Sequence, residues 1–275
     1  MRMVNLLLRF LNLVALSFWV VTFPLFGETE MATESTEPPP ADQMLEASIA
    51  DIESLAAKGA LLEAKERYKT LLDGELPEEI RAGVRKSLED LNLKILFSPT
   101  IDSESFEYEV KKGDSLYKIA KEHGTTIELL EGSNHLASDL IKPGMKLKVS
   151  KAQYSIRVNK SENKLYLYSG EELLKTYSVA TGSGERTPIG AFTIVNKLVD
   201  PVWYKAGAVV PAGSPENILG TRWLGFSVAG YGIHGTTMPE SIGKSVTEGC
   251  IRMYNNEAEE LYAIVPVKTK VTVVE

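Results

Sequence analysis

The sequence predicts a multidomain protein in which a helical region and a small βααβ module precede a mostly-β domain of the size of a sandwich or barrel. Residues 44–97 carry apolar side chains at helical spacing. Residues 107–150 show the pattern of a short strand, two short helices and a closing strand. Residues 153–275 alternate apolar and polar positions in several short runs, as β-strands do. A chain of 275 residues is long enough for all three parts.

The first 27 residues predict export. Arg2 and Arg9 precede an apolar run, Phe10–Gly27, and acidic, polar sequence follows. A basic stretch before an apolar core is typical of an export signal, and the run also approaches the ~20 residues that a membrane-spanning helix needs. Residues 1–27 are therefore a signal peptide or a membrane anchor, and both interpretations remain open. Residues 28–43, which include "TESTEPPPADQ", predict a Pro-rich linker.

Residues 44–97 predict a helical hairpin. In "LLEAKERYKTLL", the side chains of Leu61, Ala64 and Tyr68 fall on one face of a helix. A second helix is expected to begin near Pro77, in "ELPEEIRAGVRKSLEDLNLKIL". The hairpin is interpreted as a spacer or as a docking surface for another protein.

The module at residues 107–150 begins with a strand and a turn. Asp114 is expected to cap a first helix, whose inner face begins with Leu116. Thr125 and Glu128 are expected to form a capping box at the start of a second helix. A strand in "KPGMKLKV" then closes the module against the first strand.

This module resembles the LysM domain. The resemblance rests on Y-x-V-x-x-G-D-S-L-x-x-I-A from Tyr108 and on I-x-x-G-x-x-L-x-V ending at Val149, and it covers the whole segment. LysM domains bind glycans that contain N-acetylglucosamine, so the resemblance implies peptidoglycan or chitin as a partner. From its residues alone, the segment is only a compact αβ module.

The formal net charge of −7 is distributed unevenly. Residues 28–107 contain 8 Lys and Arg against 19 Asp and Glu, whereas residues 153–275 contain 12 of each. The sequence has no basic tract, which argues against nucleic acid as a partner. It also has no cluster with metal-ligand spacing and no phosphate-binding Gly-rich loop, so no metal and no cofactor are expected.

The stretch "HGTTMPESIGKSVTEGCIRM" contains the single cysteine, Cys250, sixteen residues after His234. An exported chain with one cysteine forms no internal disulfide, so Cys250 is core filling, a link between chains or a nucleophile. Gly249 allows a close backbone turn whose amide N–H groups would face an oxyanion. The spacing alone leaves open a nucleophile and its base, or a buried cysteine and an unrelated histidine.

The same stretch resembles the catalytic signature of the L,D-transpeptidases of the YkuD type. That signature is a His-Gly pair, a spacer, and Ser/Thr-x-Gly-Cys followed by an apolar residue and Arg or Asn. "TGSGERTPIGAFTI" (Thr181–Ile194) and "NILGTRWLGF" match two further segments of the family, and the resemblance covers residues 153–275. The family consists of β-sandwich acyltransferases of the bacterial cell envelope. The resemblance therefore implies an enzyme that acts outside the cytoplasm on the cell wall.

The resemblance also implies residue roles. Cys250 attacks the carbonyl that joins the third stem residue of peptidoglycan to D-alanine, and an amine of a second stem then forms a 3→3 crosslink. His234 is the implied base, and N–H groups at Gly249 and Cys250 form the implied oxyanion site. Arg252 orients the site or a substrate carboxylate; a strand arginine in a surface ion pair remains the alternative. Thr247, at the family's Ser/Thr position, is expected to help hold His234 through its side chain or its backbone.

Five further residues are expected around the substrate. Gly235 and Thr236 are expected to shape the floor of the pocket. Trp203, Tyr204 and Trp223 are expected to line the substrate groove, with packing in the core as the alternative.

Glu248 departs from the family's pattern, because many members have His, Lys or Arg there. A carboxylate near the sulfur disfavours the thiolate, but strand alternation would turn Glu248 away from the face of its neighbours, so a small effect is expected. Two other functions remain open: hydrolysis of the thioester as an L,D-carboxypeptidase, and a non-catalytic peptidoglycan-binding adaptor. In each case residues 44–97 are a candidate contact for another envelope protein, and an uncleaved N-terminal segment would add the membrane as a partner.

Overall fold

The structure, a computed structural model, describes residues 41–205 and 207–275. The predicted export segment at residues 1–27 lies outside the described residues, as does most of the predicted linker at residues 28–43. Within the described part of the chain, no helix combines the length and the apolar character that a bilayer-spanning helix needs.

The helical region consists of three helices, one more than the predicted hairpin. They are α1 (Ala41–Ala57), α2 (Leu61–Asp73) and α3 (Glu78–Leu96). The predicted inner face of α2 is confirmed, since Leu61, Ala64 and Tyr68 are buried. These side chains pack in one cluster with Ile52 of α1 and with residues of α3 such as Val84. The predicted pair of helices is therefore the second part of a three-helix unit.

The small module follows in the order strand, helix, helix, strand. Its elements are β1 (Ser105–Glu109), α4 (Leu116–His123), α5 (Ile127–Ser133) and β2 (Lys146–Ser150), with β1 and β2 antiparallel. Both helix caps lie one residue after the predicted positions: Ser115 caps α4 and Thr126 caps α5. Asp114 instead accepts hydrogen bonds from the Lys111 N–H and the Tyr108 hydroxyl, so its carboxylate holds the turn before α4.

The β domain contains the remaining elements. They are β3 (Tyr154–Asn159), β4 (Lys164–Ser169), β5 (Glu172–Ser178), β6 (Thr181–Gly182), β7 (Gly190–Val199), β8 (Trp203–Lys205), β9 (Ala208–Val210), β10 (Arg222–Phe226), β11 (Gly232–His234), β12 (Ser245–Thr247), β13 (Ile251–Arg252), α6 (Asn255–Ile264) and β14 (Lys270–Val274). Two 3₁₀ turns, Gly184–Arg186 and Pro239–Ser241, interrupt the loops.

Eight of these strands form one mixed sheet in the order β13-β11-β10-β7-β14-β3-β4-β5. The pairs β11–β13 and β3–β14 are parallel, and the other neighbours in the sheet are antiparallel. Two short pairs, β6 with β12 and β8 with β9, lie outside this sheet. That the sheet closes into a sandwich stays a prediction.

The helical region and the LysM-like module both pack against the β domain. The Asn92 side chain of α3 donates to the Leu174 carbonyl of β5, at 3.3 Å. The Thr126 hydroxyl donates to the carbonyl of Ala263 in α6. Lys148 of β2 reaches the end of α3. The helical region is thus attached to the edge of the chain's own sheet.

Candidate active site

The parallel pair β11–β13 brings the predicted catalytic residues together at one end of the sheet. His234 lies opposite Arg252 in the register of this pair, and Cys250 comes directly before β13. Since side chains alternate along a strand, Cys250, Arg252 and His234 are expected on one face. All three line one cavity of about 530 Å³.

The imidazole of His234 is buried and neutral. Its Nδ1 lies 2.6 Å from the carbonyl oxygen of Gly235, which can only accept a hydrogen bond, so Nδ1 carries the proton and Nε2 the lone pair. The pKa of His234 is lowered to about 4, chiefly by burial; the bond to Gly235 opposes this shift, and the charge of Arg252 adds to it. At neutral pH the ring is therefore a free base.

The thiol of Cys250 is half-buried and protonated. Burial raises the pKa of Cys250, a backbone hydrogen bond from Gly232 and the charge of Arg252 lower it, and Glu248 raises it slightly. The sulfur lies 3.4 Å from the carbonyl oxygen of Gly230, which can accept the thiol proton in a hydrogen bond. Because the thiolate is the nucleophile, this thiol needs a base before it reacts.

The turn before Cys250 depends on Gly249 and Thr247. Gly249 has a φ of 133°, and a Cβ there would lie 2.7 Å from the Arg186 carbonyl oxygen, so the turn requires glycine. The Thr247 hydroxyl donates to the Cys250 carbonyl at 2.6 Å and accepts from the Gly249 N–H at 3.2 Å. Thr247 was expected to hold His234. Its hydroxyl instead holds the turn that carries the cysteine.

Arg252 is buried, with 6% of its surface exposed, so the alternative of a surface ion pair is wrong. One guanidinium nitrogen, Nη1, donates to the Ser241 hydroxyl at 2.9 Å. Among the described residues, no group accepts a hydrogen bond from its buried Nε–H. Arg252 thus brings a positive charge to the wall of the cavity.

The other five predicted residues differ in where they lie relative to the cavity. Trp203 lines the cavity, whereas Tyr204 is 75% exposed and does not. Trp223 stacks on the imidazole of His234, with ring centroids 6.1 Å apart. Gly235 and Thr236 are buried in the turn after β11.

Several cavity residues were not predicted. They are Ile218, Leu219, Gly230, Tyr231, Met238, Val246 and Glu248. The expectation that Glu248 turns away is wrong, because Gly249 bends the chain and interrupts the alternation on which that expectation rests. Ile218 and Leu219 belong to "NILGTRWLGF", whose match to the family was the available signal.

Comparisons with known proteins identify the family of the chain. A family model for the YkuD L,D-transpeptidase catalytic domain matches residues 153–273, and one for the LysM domain matches residues 108–150. A putative L,D-transpeptidase YkuD of Bacillus licheniformis is 37% identical over 175 residues, 60% of this chain and 97% of that relative. The chain belongs to the L,D-transpeptidase family.

Other members of the family match shorter parts. The putative L,D-transpeptidase YqjB of Bacillus subtilis is 43% identical over 122 residues, 42% of this chain and 68% of that relative. A solved L,D-transpeptidase from Mycobacterium smegmatis is 22% identical with a TM-score of 0.39, and the match covers 48% of this chain and 64% of that one. The predicted family is confirmed, as is a LysM domain before the catalytic domain. Function as a peptidoglycan L,D-transpeptidase follows from the family.

Proposed function

We propose that this L,D-transpeptidase is an exported cysteine acyltransferase that joins peptidoglycan stems by 3→3 crosslinks. The Cys250 sulfur attacks the carbonyl between the third stem residue and D-alanine while His234 Nε2 takes the thiol proton. That proton passes to the leaving nitrogen, D-alanine departs and a thioester remains. An amine of a second stem then attacks the thioester, and its proton returns through His234 to the sulfur.

One observation carries this proposal: the Cys250 thiol and the His234 imidazole line the same cavity. The burial that keeps the Cys250 thiol protonated also keeps His234 unprotonated. The bond from Nδ1 to Gly235 leaves Nε2 as the basic atom. This division of roles is what a cysteine and histidine pair needs for acyl transfer.

The remaining groups bind and stabilise the substrate. The Gly249 N–H is engaged by Thr247, so the Cys250 N–H is the proposed oxyanion donor. Arg252 supplies its positive charge to a carboxylate of the stem. The apolar side chains of Ile218, Leu219 and Met238 provide walls for the stem peptide.

The LysM domain provides the second contact with the polymer. It would bind N-acetylglucosamine units of the glycan while the catalytic domain acts on the stems. Because the LysM domain and the β domain are packed together, glycan binding would also orient the cavity. Because both partners belong to the cell wall, we infer that the protein acts in the cell envelope.

Incubation with a tetrapeptide stem and intact-mass measurement test the proposal. The wild-type protein is expected to gain the mass of the acyl group, and Cys250→Ala to gain none. An adduct on Cys250→Ala would overturn the assignment of the nucleophile. With a second stem present, 3→3 dimers support transpeptidation, whereas free tripeptides alone would show that the enzyme is a carboxypeptidase.

A further inference from the structure

Asn255, the first residue of α6, connects three parts of the active site. Its Oδ1 accepts hydrogen bonds from the N–H groups of Thr236, at 2.8 Å, and of Thr221, at 3.3 Å. Its Nδ2 donates to the carbonyl oxygen of Thr236, at 2.9 Å. One side chain thereby joins α6 to the turn after His234 and to the start of β10.

The Asn255 side chain fits because two neighbouring backbone positions, Gly220 and Gly235, have no side chain. A Cβ on Gly235, or one on Gly220, would lie 2.1 Å from Asn255 Oδ1. Such a distance excludes any other residue at either position while Asn255 keeps its place. The position of the Asn255 amide therefore requires glycine at both positions, and at Gly220 the backbone nitrogen of Thr236, 2.3 Å from such a Cβ, requires it as well.

The clamped turn is also the support of the catalytic base. The peptide group between residues 235 and 236 presents its carbonyl to His234 Nδ1 and its N–H to Asn255 Oδ1. A hydrogen bond to the N–H of a peptide polarises its carbonyl and makes that oxygen a stronger acceptor. Asn255 therefore acts on the tautomer and the orientation of His234 through a single peptide unit.

The same residue is tied to the nucleophile and to the cavity wall. Asn255 follows Cys250 by five positions, and between them the Met253 N–H donates to the His234 carbonyl at 2.8 Å. Thr221 follows the segment that contributes Ile218 and Leu219 to the cavity. A shift of Asn255 would displace the base, the wall and the chain that bears the thiol together.

We propose that Asn255 is a positioning residue that fixes the His234–Gly235–Thr236 turn, so that Nε2 of His234 is held as the base for Cys250. This role rests on the proposed acyl transfer. It predicts slower acylation without a comparable loss of substrate binding. Misplacement of a reacting group by about 1 Å can cost ~10²-fold in rate.

Asn255→Asp provides the main test, because the carboxylate has the size of the amide and keeps both acceptor bonds. It replaces the donor to Thr236 by a negative charge two hydrogen bonds from His234. The other charged or titratable groups at the cavity, Arg252, Cys250, Glu248 and Tyr231, stay unchanged. The rate of acylation by a carbapenem-type probe should fall at acid pH, where His234 becomes protonated. The negative charge is expected to raise the midpoint of this fall by about one pH unit.

Asn134 supplies the matched control. Its amide also makes three bonds to backbone groups, two donated to Leu130 and Lys148 and one accepted from Lys148, but it lies in the LysM domain. Asn134→Asp is expected to lower the melting temperature as Asn255→Asp does and to leave the pH profile unchanged. A second pair, Asn255→Ala and Asn134→Ala, should show a fall in acylation kcat of about 10- to 100-fold for Asn255 alone.

An unchanged pH profile and kcat in folded Asn255→Asp would overturn the proposal and make Asn255 a structural residue only. NMR titration of the histidine rings gives a readout that needs no turnover: the His234 pKa should rise in Asn255→Asp and not in Asn134→Asp. If wild-type protein is not acylated at all, the proposed function fails, but this titration still decides the role of Asn255. An unshifted His234 pKa would contradict it.

Discussion

Two buried cations, Lys148 in the LysM domain and Arg252 in the active site, are used in opposite ways. Only 4% of Lys148 and 6% of Arg252 is exposed, and burial lowers the pKa of both. Lys148 Nζ donates to the carbonyl oxygens of Ile95, at 2.7 Å, and Ser98, at 3.0 Å. Arg252 bonds to Ser241 through Nη1, while its Nε–H has no acceptor among the described residues and its side chain lines a cavity.

The two cations differ in what their hydrogen-bond acceptors lose when the cationic side chain is removed. The acceptors of Lys148 are backbone carbonyls near the end of α3, where a positive group is favourable. They remain in place when the side chain is removed. Ser241, in contrast, also donates to the Met238 carbonyl at 2.6 Å, so it keeps a partner without Arg252. Lys148 is thus tied to the fold, whereas the charged side chain of Arg252 lines the cavity.

Arg252→Met should have the largest effect, and on activity alone. Loss of a charge-assisted hydrogen bond to the substrate costs roughly 1.5–3 kcal/mol, about 10- to 100-fold in kcat/KM for acylation by a tetrapeptide stem. The free energy of unfolding should stay the same or rise, because the change removes a buried charge and leaves no group unpaired. A variant that unfolds more easily and acylates normally would reverse the distinction.

Lys148→Met should give the complementary result. The Ser98 carbonyl loses its lysine donor, so the free energy of unfolding should fall by about 1–3 kcal/mol in urea denaturation. Acylation kinetics of the folded protein should not change. Lys146→Met is the matched control, since Lys146 lies on the same strand in an exposed ion pair with Glu107 and should matter little. Equal destabilisation by both variants would contradict a specific role for Lys148.

The pH dependence of His234 provides a smaller effect. Its pKa of about 4 lies below the ordinary value of 6.5, so between these values the unfolded chain binds a proton that the folded chain does not. Protonation of His234 therefore leaves the free energy of unfolding unchanged above pH 6.5 and reduces it as the pH falls from 6.5 toward 4. In Arg252→Met the His234 pKa should rise by less than about one unit, since burial is the main cause and remains. NMR titration should show no shift in Lys148→Met; the same shift in both variants would exclude a local effect of Arg252.

The sequence was most informative where chemistry and spacing lie in one short segment. Cys250, His234 and Arg252 were all predicted, and the strand register brings them to one cavity. The strands of the β domain were also predictable, because alternation of apolar residues reflects burial on one face. Lys148 and Ile95, which form a hydrogen bond, lie 53 positions apart in the chain. No periodic pattern links them, so the sequence contains no local signal for this contact.

The directions of individual side chains were also not predictable from the sequence. Thr247 was expected to hold His234, yet its hydroxyl bonds within the cysteine turn. The role of Asn255 depends on the close approach of Gly235 and Gly220, which come from two other segments. The contacts of Asn255 appear only when the packing of the chain is known, because they depend on three chain segments that meet at one point.

Glu248→Gln should produce the smallest change, because this carboxylate faces the cavity but is also exposed to solvent. Its charge is the weakest of the influences that raise the pKa of Cys250, and burial, the strongest, stays. Its removal should therefore raise the rate of probe acylation at pH 7 by no more than about threefold, and salt should reduce the difference. Glu171→Gln makes the same charge change in the turn between β4 and β5, at the opposite edge of the sheet, and should have no effect. A salt-independent change above tenfold would mean that Glu248 bonds directly to a reacting group, and the carboxylate would then belong with Arg252 among the charges proposed to act on the substrate.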